Sequence, residues 1–243
     1  NGVINIVTRK SSDTQGGILQ FGIGNKYASA SLQYGGRLSD DLTYRAYIET
    51  FRDRSFEASQ HQGWYKPQGG FRIDWTPGDD ALTVQGDLYD GRENNGADPD
   101  GLIAGGNISA NWRHDFEDDS SLQVLAYYDN VQRTTTGGSA GFTVDTYNVD
   151  AQYNFMLGSW NTIVVGVGQR LSHYSIRDQI GPVTSLLFVP NKGDLNLTNV
   201  FVQDQMALSD DVALTLGLKL ESDPYSGITP MPSARATWRL DDG

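Results

Sequence analysis

The chain of 243 residues has no cysteine, which fits an oxidising cell envelope but is also common in the cytosol. It also lacks any apolar run near the roughly eighteen residues of a membrane-spanning helix, so a helical span is excluded. Basic residues are few: 18 Lys and Arg face 30 Asp and Glu, giving a formal net charge of −12. That balance argues against nucleic acid as a partner.

Residues that could perform catalysis or bind a metal are equally scarce. The three histidines, His61, His114 and His173, are dispersed without metal-ligand spacing, and no nucleophile motif is present. Residues 90–101 carry enough side-chain oxygens for calcium, yet they miss the EF-hand register, and solvation of a loop is the simpler interpretation. We therefore expect no enzyme activity, no resident metal and no cofactor.

What is present is an acidic turn that returns about every forty residues, the period of a repeated supersecondary unit. Each turn joins two runs of alternating apolar and polar residues, and longer polar stretches separate the units. Short turns at one end and long loops at the other are the layout of a transmembrane β-barrel. The turns are Asp40-Asp41, Asp79-Asp80, Asp118-Asp119, Asp210-Asp211 and Asp241-Asp242, with Gly158-Ser159 in place of one member.

The alternation assigns each residue to one of two faces, because successive side chains of a strand point in opposite directions. In residues 212–221, Leu214, Leu216 and Leu218 share one face, whereas Lys219 and Glu221 lie on the other. Strands in soluble proteins usually have about five or six residues, whereas a tilted membrane strand needs about nine to eleven. The observed runs have membrane length.

This pattern predicts an all-β, antiparallel transmembrane barrel wall of twelve strands. Irregular stretches are expected at 53–63, 91–103, 134–143, 175–195 and 223–230. The facing of strand 196–208 stays open, since Asp204 shares a face with Val200 and Val202. The predicted strands are 17–24, 27–38, 42–52, 64–76, 81–90, 104–116, 121–133, 144–157, 160–174, 196–208, 212–222 and 231–240.

Four of the five tryptophans lie near the short turns. Trp75, Trp160 and Trp238 are within three residues of a turn, and Trp112 is within five of Glu117. Because tryptophan suits a membrane–water interface, these side chains predict one aromatic girdle.

Residues 1–10, NGVINIVTRK, resemble the closing strand of the plug domain in TonB-dependent outer-membrane receptors. Residues 13–17, DTQGG, look like that family's connection from plug to barrel. Early barrel strands of the family are similar to GFRIDW (70–75), LTVQGDLYDG (82–91), FVQDQMAL (201–208), LTLGLKLE (214–221) and PSARATWRL (232–240).

The resemblance implies a fragment of an outer-membrane receptor for energised uptake of a scarce nutrient, foremost a ferric siderophore. Residues 1–10 would end the plug, 11–16 would be a linker, and 17–243 would form the first part of a barrel of about 22 strands. The implied partners are the TonB complex of the inner membrane, whose contact segment is absent here, the small ligand, and outer-membrane lipid. Such a fragment predicts an open, curved sheet.

Ligand capture would fall to aromatic and basic residues near the strand ends opposite the acidic turns, where they could grip an anionic, aromatic iron chelate. The candidates are His61, Trp64, Tyr65, Arg92, His173, Tyr174 and Arg177. A polar plug would be held by a charged lumen lined with Arg45, Arg72, Arg113, Lys219, Asp74 and Glu49.

Two alternatives remain at this point. A passive porin of twelve strands would use the same charged residues to line water, although it has no use for a buried strand before its first barrel strand. A soluble or adhesive β protein would turn its apolar face into a core instead of toward lipid.

Overall fold

A computed structural model describes residues 8–54, 62–95, 99–138, 140–180 and 185–239. Residues 1–7, which contain most of the predicted plug strand, lie outside the described residues. So do His61 and the turn at 241–242. Among the residues described, no helix is long and apolar enough to cross a membrane.

Twelve strands form one antiparallel sheet in which each strand pairs with its neighbour along the chain. A separate two-stranded hairpin, β10 (Gln179–Ile180) and β11 (Ser185–Leu186), lies between the ninth and tenth strands of that sheet. The strands of the main sheet are β1 (Gly16–Ile23), β2 (Tyr27–Ser39), β3 (Leu42–Arg54), β4 (Gln62–Trp75), β5 (Asp80–Asn95), β6 (Gly101–Asp115), β7 (Ser121–Thr135), β8 (Gly141–Leu157), β9 (Asn161–Arg177), β12 (Lys192–Ala207), β13 (Val212–Asp223) and β14 (Gly227–Trp238).

The predicted twelve strands are confirmed, and antiparallel pairing places the turns as expected. The acidic or Gly-Ser turns connect β2 to β3, β4 to β5, β6 to β7, β8 to β9 and β12 to β13. All of these lie at one edge of the wall, hereafter the turn edge. The other connections lie at the opposite edge, hereafter the loop edge.

The strands extend further toward the loop edge than the apolar pattern predicts. β5 continues to Asn95 instead of ending at residue 90, and β12 begins at Lys192 instead of residue 196. The predicted loop 223–230 shrinks to residues 224–226 between β13 and β14. Backbone hydrogen bonds do not require apolar side chains, so pairing continues where the apolar alternation has already stopped.

One acidic turn shows how these connections form locally. Asp118 accepts hydrogen bonds at Oδ1 from the backbone N of Ser120 at 3.1 Å and from its hydroxyl, and these bonds lower the pKa of the Asp118 carboxyl. Asp119 adopts a φ of 61°, a left-handed conformation that aspartate tolerates better than most residues. In the turn that lacks aspartates, Gly158 takes that role with a φ of 71°.

The two faces of the sheet differ as the alternation predicts. The inner face is the one that contacts residues 8–15, hereafter the N-terminal segment, and it carries Thr43 and Asp74. On the outer face apolar side chains are exposed, as for Leu216 at 44% and Leu218 at 43%. No hydrophobic side chain in the described part of the chain is buried. These residues therefore lack the packed core that the soluble alternative requires.

The register also shows which face each residue of β12 occupies. Val200 and Val202 lie opposite Leu220 and Leu218 of β13, and Asp204 lies opposite Leu216. Directly opposed residues share a face, so all three β12 residues point outward. The carboxylate of Asp204 accepts a hydrogen bond of 2.8 Å from Asn161 Nδ2, which gives this outward acid a polar partner.

The tryptophans follow the same geometry. Trp75 and Trp238 end β4 and β14 on the outer face, and Trp160 immediately precedes β9. The indole of Trp112 donates to Asp80 Oδ1 at 2.9 Å, also near the turn edge. The predicted row of tryptophans at one edge is confirmed.

The sheet is open within the described residues, as a barrel fragment should be. β1 pairs only with β2, and β14 pairs only with β13, so both are edge strands. Each therefore presents unpaired backbone donors and acceptors, which lipid cannot satisfy.

Adjacent residues of β12 test the assignment of the faces. Val202 points outward between Val165 and Leu218, whereas Gln203 points inward between Val164 and Gly217. We expect Val202→Arg to lower the free energy of unfolding in a bilayer by about 2–4 kcal/mol, the cost of arginine on a lipid-facing position near the midplane. Gln203→Arg should cost much less, because it faces the polar interior. Urea titration of the full-length protein refolded in vesicles measures both, and equal losses would contradict the assignment.

Candidate functional site: the inner wall

The N-terminal segment is fastened to the inner face through one buried serine. Ser11 is 0% exposed. Its backbone N donates to Asp74 Oδ2 at 2.7 Å, and its hydroxyl donates to the same oxygen at 2.6 Å. Since that hydroxyl has one proton, the contact of 2.6 Å with Thr43 Oγ1 must be donated by the threonine. Side chains from two strands, β3 and β4, therefore bind this one residue.

The carboxylate of Asp74, which binds Ser11, also accepts hydrogen bonds from side chains of β4 and β5. Arg72 lies two residues earlier on β4 and donates to Asp74 from Nε at 2.8 Å and from a terminal guanidinium nitrogen at 2.7 Å. The hydroxyl of Thr83 on β5 adds a bond of 2.8 Å. A buried carboxylate needs this combination of opposite charge and donors. The anchor is therefore a rigid polar cluster spanning β3, β4 and β5.

Two further contacts keep the N-terminal segment against the wall. Arg45 donates to the backbone carbonyl of Arg9 at 3.2 Å. A Cβ at Gly35 would lie 2.1 Å from the carbonyl oxygen of Thr14, so only glycine allows the chain to approach this closely. The segment thus runs inside the wall, near the turn edge.

Beyond the anchor, the inner wall is polar and carries both signs of charge. The register places the predicted lining residues Arg45, Arg72, Arg113, Lys219, Asp74 and Glu49 on this face, which confirms their predicted orientation. A recess of about 550 Å³ lies on the same face between Asn107, Tyr127, Asp129 and Arg170. Arg170 donates to Asn148 Oδ1 at 3.1 Å. Such a surface suits hydrated or hydrogen-bonding contents.

The residues predicted to capture a ligand are divided between the two faces. Trp64 and Tyr174 point inward, whereas Tyr65, Arg92, His173 and Arg177 point outward. Tyr65 and Arg92 are direct partners across β4 and β5, but His173 and Arg177 lie several strands away. All six belong to the loop-edge half of the wall. The prediction that they bind a ligand stays a prediction.

Two aromatic side chains mark the inner wall at the loop edge. Trp64 packs edge-on against Phe51, with ring centroids 4.6 Å apart. Tyr174 lies across Gly193, where a Cβ would come within 2.8 Å of its hydroxyl. Five strand spacings separate Trp64 from Tyr174, or about 24 Å along the wall. They therefore border different parts of the same opening.

Three of the four outward-facing candidates have polar partners. Arg92 binds Asp100 at 2.6 Å, and Arg177 donates to the carbonyl of Gly138 at 3.2 Å. His173 contacts Asp194 through Nδ1. No group of three acidic or histidine side chains in the described ranges is arranged to hold a metal ion. Residues 96–98, in the middle of the oxygen-rich stretch 90–101, lie outside those ranges.

Sequence reasoning missed the anchor itself. The sequence of the N-terminal segment does not distinguish Ser11 from Ser12. Thr43 likewise resembles any other small polar residue of an alternating strand. The only available signal was Asp74, a carboxylate whose position in β4 places it inside the wall.

A twelve-stranded antiparallel wall with a polar inner face, an exposed apolar outer face and an internal anchor defines a segment of a transmembrane β-barrel. A family profile described as TonB dependent receptor-like, beta-barrel, matches residues 43–243. The chain belongs to this family. A search among curated proteins finds no match.

Solved structures share the fold at low sequence identity. The siderophore receptor PirA from Pseudomonas aeruginosa matches with a TM-score of 0.72 and 16% identity, over 89% of this chain and 37% of that one. A mutant of the P. aeruginosa ferric enterobactin receptor PfeA matches with a TM-score of 0.72 and 13% identity, over 93% and 41%. P. aeruginosa FpvA bound to heterologous pyoverdines matches with a TM-score of 0.70 and 14% identity, over 93% and 40%. The chain spans well under half the length of these proteins.

The anchor can be tested with neighbouring serines. We expect Ser11→Ala to accelerate amide hydrogen exchange at residues 9–14 at least tenfold, because a hydrogen bond to a carboxylate contributes about 1.5–3 kcal/mol. Ser12→Ala is the matched control, since Ser12 is exposed and its hydroxyl donates to its neighbour Asp13. Mass-spectrometric exchange on the folded protein provides the measurement. Identical exchange in the two variants would show that Ser11 does not hold the segment.

Proposed function

We propose that this chain is part of a bacterial outer-membrane receptor that imports a scarce nutrient, foremost a ferric siderophore, with energy supplied through the TonB complex of the inner membrane. Residues 1–10 would close the plug domain, residues 11–16 would link it to the wall, and residues 17–243 would form the first part of the barrel. The turn edge would face the periplasm, and the loop edge would face the exterior.

The observation that carries this proposal is the anchor at Ser11. The chain that enters the wall does so along its inner face, where Asp74 and Thr43 hold it. A plug preceding this segment would therefore be tethered inside the barrel at its periplasmic end. A passive porin would keep this path free for solute, so the anchor and the family both favour a receptor.

The inner wall would hold the plug without trapping it permanently. Its charges come in both signs, and several are paired with one another, as Lys219 is with Glu221 and Arg72 with Asp74. Hydrogen bonds between two polar surfaces can be exchanged for water at small net free-energy change. Force applied to the plug could then rearrange it while the backbone ladder keeps the wall intact. No covalent chemistry is required of the wall.

The ligand would bind at the loop edge and pass along the inner face. Among the predicted residues that the structure describes, Trp64 and Tyr174 have side chains that point to this path. Flat aromatic rings can stack on the aromatic groups of many iron chelators, and they lose little conformational entropy on binding. The iron would travel as cargo inside the chelate and would need no ligand from the wall.

Energy coupling distinguishes the receptor from a porin. We expect cells that express the full-length receptor as their only siderophore receptor to accumulate ⁵⁵Fe from its ferric siderophore, and to stop when TonB is deleted, because the plug then stays in place. Accumulation is measured by filtration of cells after addition of the labelled chelate. Uptake at the same rate with and without TonB would identify a passive channel.

The alternation of faces gives a second test. We expect Tyr174→Ala to weaken ligand binding about tenfold, or ~1.4 kcal/mol, because it removes an inward ring. His173→Ala is the adjacent control, because His173 points outward and should leave the affinity unchanged. Fluorescence titration of the purified receptor with ferric siderophore measures both constants. Weaker binding in the His173 variant alone would place the ligand outside the wall.

A further inference from the structure

Trp64, on the inner wall near the loop edge, stands between two carboxylates. It lies directly opposite Asp53 of β3 on one side and Glu93 of β5 on the other, so all three side chains share the inner face. Strands lie about 4.8 Å apart, which places the two acids about 10 Å from each other with the indole between them. These three residues are hereafter the acidic-aromatic row.

The indole of Trp64 is oriented by a second aromatic ring and remains accessible. Phe51 packs against it edge-on, with ring centroids 4.6 Å apart and ring planes at 81° to each other. Trp64 is nevertheless 45% exposed. An aromatic ring carries negative charge density on its faces, so an exposed indole attracts a cation placed over it. At the acidic-aromatic row, an organic cation would therefore meet a ring face and two carboxylates together.

The negative charges of the row are only partly neutralised by the residues that the structure describes. Glu93 has Arg133 of β7 as a partner, at the long separation of 3.7 Å. The carboxylate of Asp53 has neither an ion pair nor a hydrogen bond within the described part of the chain. The ammonium group of Lys66 lies 4.7 Å from the centre of the Tyr89 ring. The charge of Asp53 therefore faces the lumen without a fixed counter-charge from the described wall.

The alternation of faces sorts the charges near this row by sign. Arg52, Arg54 and Arg92 are the immediate sequence neighbours of Asp53 and Glu93, and all three arginines point outward. Between the level of Asp87 and the loop edge, the described inward side chains of β3 to β7 include more acids than bases. The bases are Lys66 and Arg133, and the acids are Glu49, Asp53, Asp87, Glu93 and Asp129. This part of the inner wall is therefore negatively charged.

This distribution of charge bears on the class of ligand that the receptor would import. The basic candidates expected to attract an anionic chelate, Arg92 and Arg177, point outward, so an anion at Trp64 would meet Asp53 and Glu93 instead. Like charges brought together in a binding site disfavour the complex. A protonated amine on the chelate would instead donate charge-assisted hydrogen bonds to the carboxylates and be attracted by the indole ring.

We propose that the acidic-aromatic row selects ferric chelates that carry a protonated amine, with the ammonium group over Trp64 and between Asp53 and Glu93. The inference rests on the proposed function, in which the ligand binds at the loop edge and passes along the inner face. It narrows the substrate class from ferric siderophores in general to cationic ones, such as a trihydroxamate with a free terminal amine. The two carboxylates would determine specificity without contacting the groups that chelate iron.

The test is a titration of the purified full-length receptor with two chelates that differ in one charge. Ferrioxamine B is a ferric trihydroxamate with one free terminal ammonium group, and N-acetylferrioxamine B lacks that charge. We expect ferrioxamine B to bind about tenfold more tightly, and the double variant Asp53→Asn, Glu93→Gln to bind both chelates equally. Quenching of tryptophan fluorescence measures each Kd. Asp90→Asn is the matched control, since Asp90 lies on the same strand as Glu93 but points outward, and it should keep the preference.

Several results would overturn the proposal: equal binding of the two chelates by the wild type, binding of neither, a preference that survives in the double variant, or tighter binding of a trianionic ferric tricatecholate. An equal loss of affinity for both chelates in the double variant would also overturn it, because the carboxylates would then support the fold or the plug. Heat-modifiable migration on a gel shows that each variant is folded before it is titrated.

The titration requires no TonB, so it is independent of energised uptake. TonB-dependent uptake of an anionic chelate, without preference for the amine, would contradict only this inference. A preference for the amine without TonB-dependent uptake would contradict only the proposed transport function.

Discussion

The antiparallel hydrogen-bond ladder is the constraint on which the rest of this structure depends. With no buried hydrophobic side chain among the described residues, the wall has no core of its own, and its cohesion comes from backbone bonds between neighbouring strands. The ladder fixes a side-chain period of two, so each residue is committed to the inner or the outer face. That rule separates Tyr174 from His173 and Trp64 from Tyr65, although each pair is adjacent in sequence.

The same alternation places polar and charged side chains together on the inner face. Arg72 and Asp74 form an ion pair there, and the hydrogen-bond donors around the buried Asp74 carboxylate offset the desolvation cost that its burial imposes. The same pair also fixes Ser11, which joins the N-terminal segment to β3 and β4. Anchoring and charge pairing are therefore properties of one surface.

The outer face divides into two zones with different surroundings. Near the middle, residues such as Leu88 and Val202 are exposed and apolar, as contact with hydrocarbon requires. Toward the loop edge the ladder continues, but the outward side chains become Arg52, Arg92 and Asp194. The strands therefore extend beyond the apolar band, and their outward side chains in this extension are polar.

The sequence by itself determined the number of strands, the position of the turns and the face of nearly every residue. These features depend on local periodicity and turn chemistry, as at Asp118 and Leu216, and both are legible without knowledge of distant contacts. Only the tertiary structure decided where the strands end at the loop edge, because pairing with a neighbour sustains β5 and β12 after their apolar pattern stops. It also decided the burial of Ser11, whose partners Thr43 and Asp74 are 32 and 63 residues away in sequence.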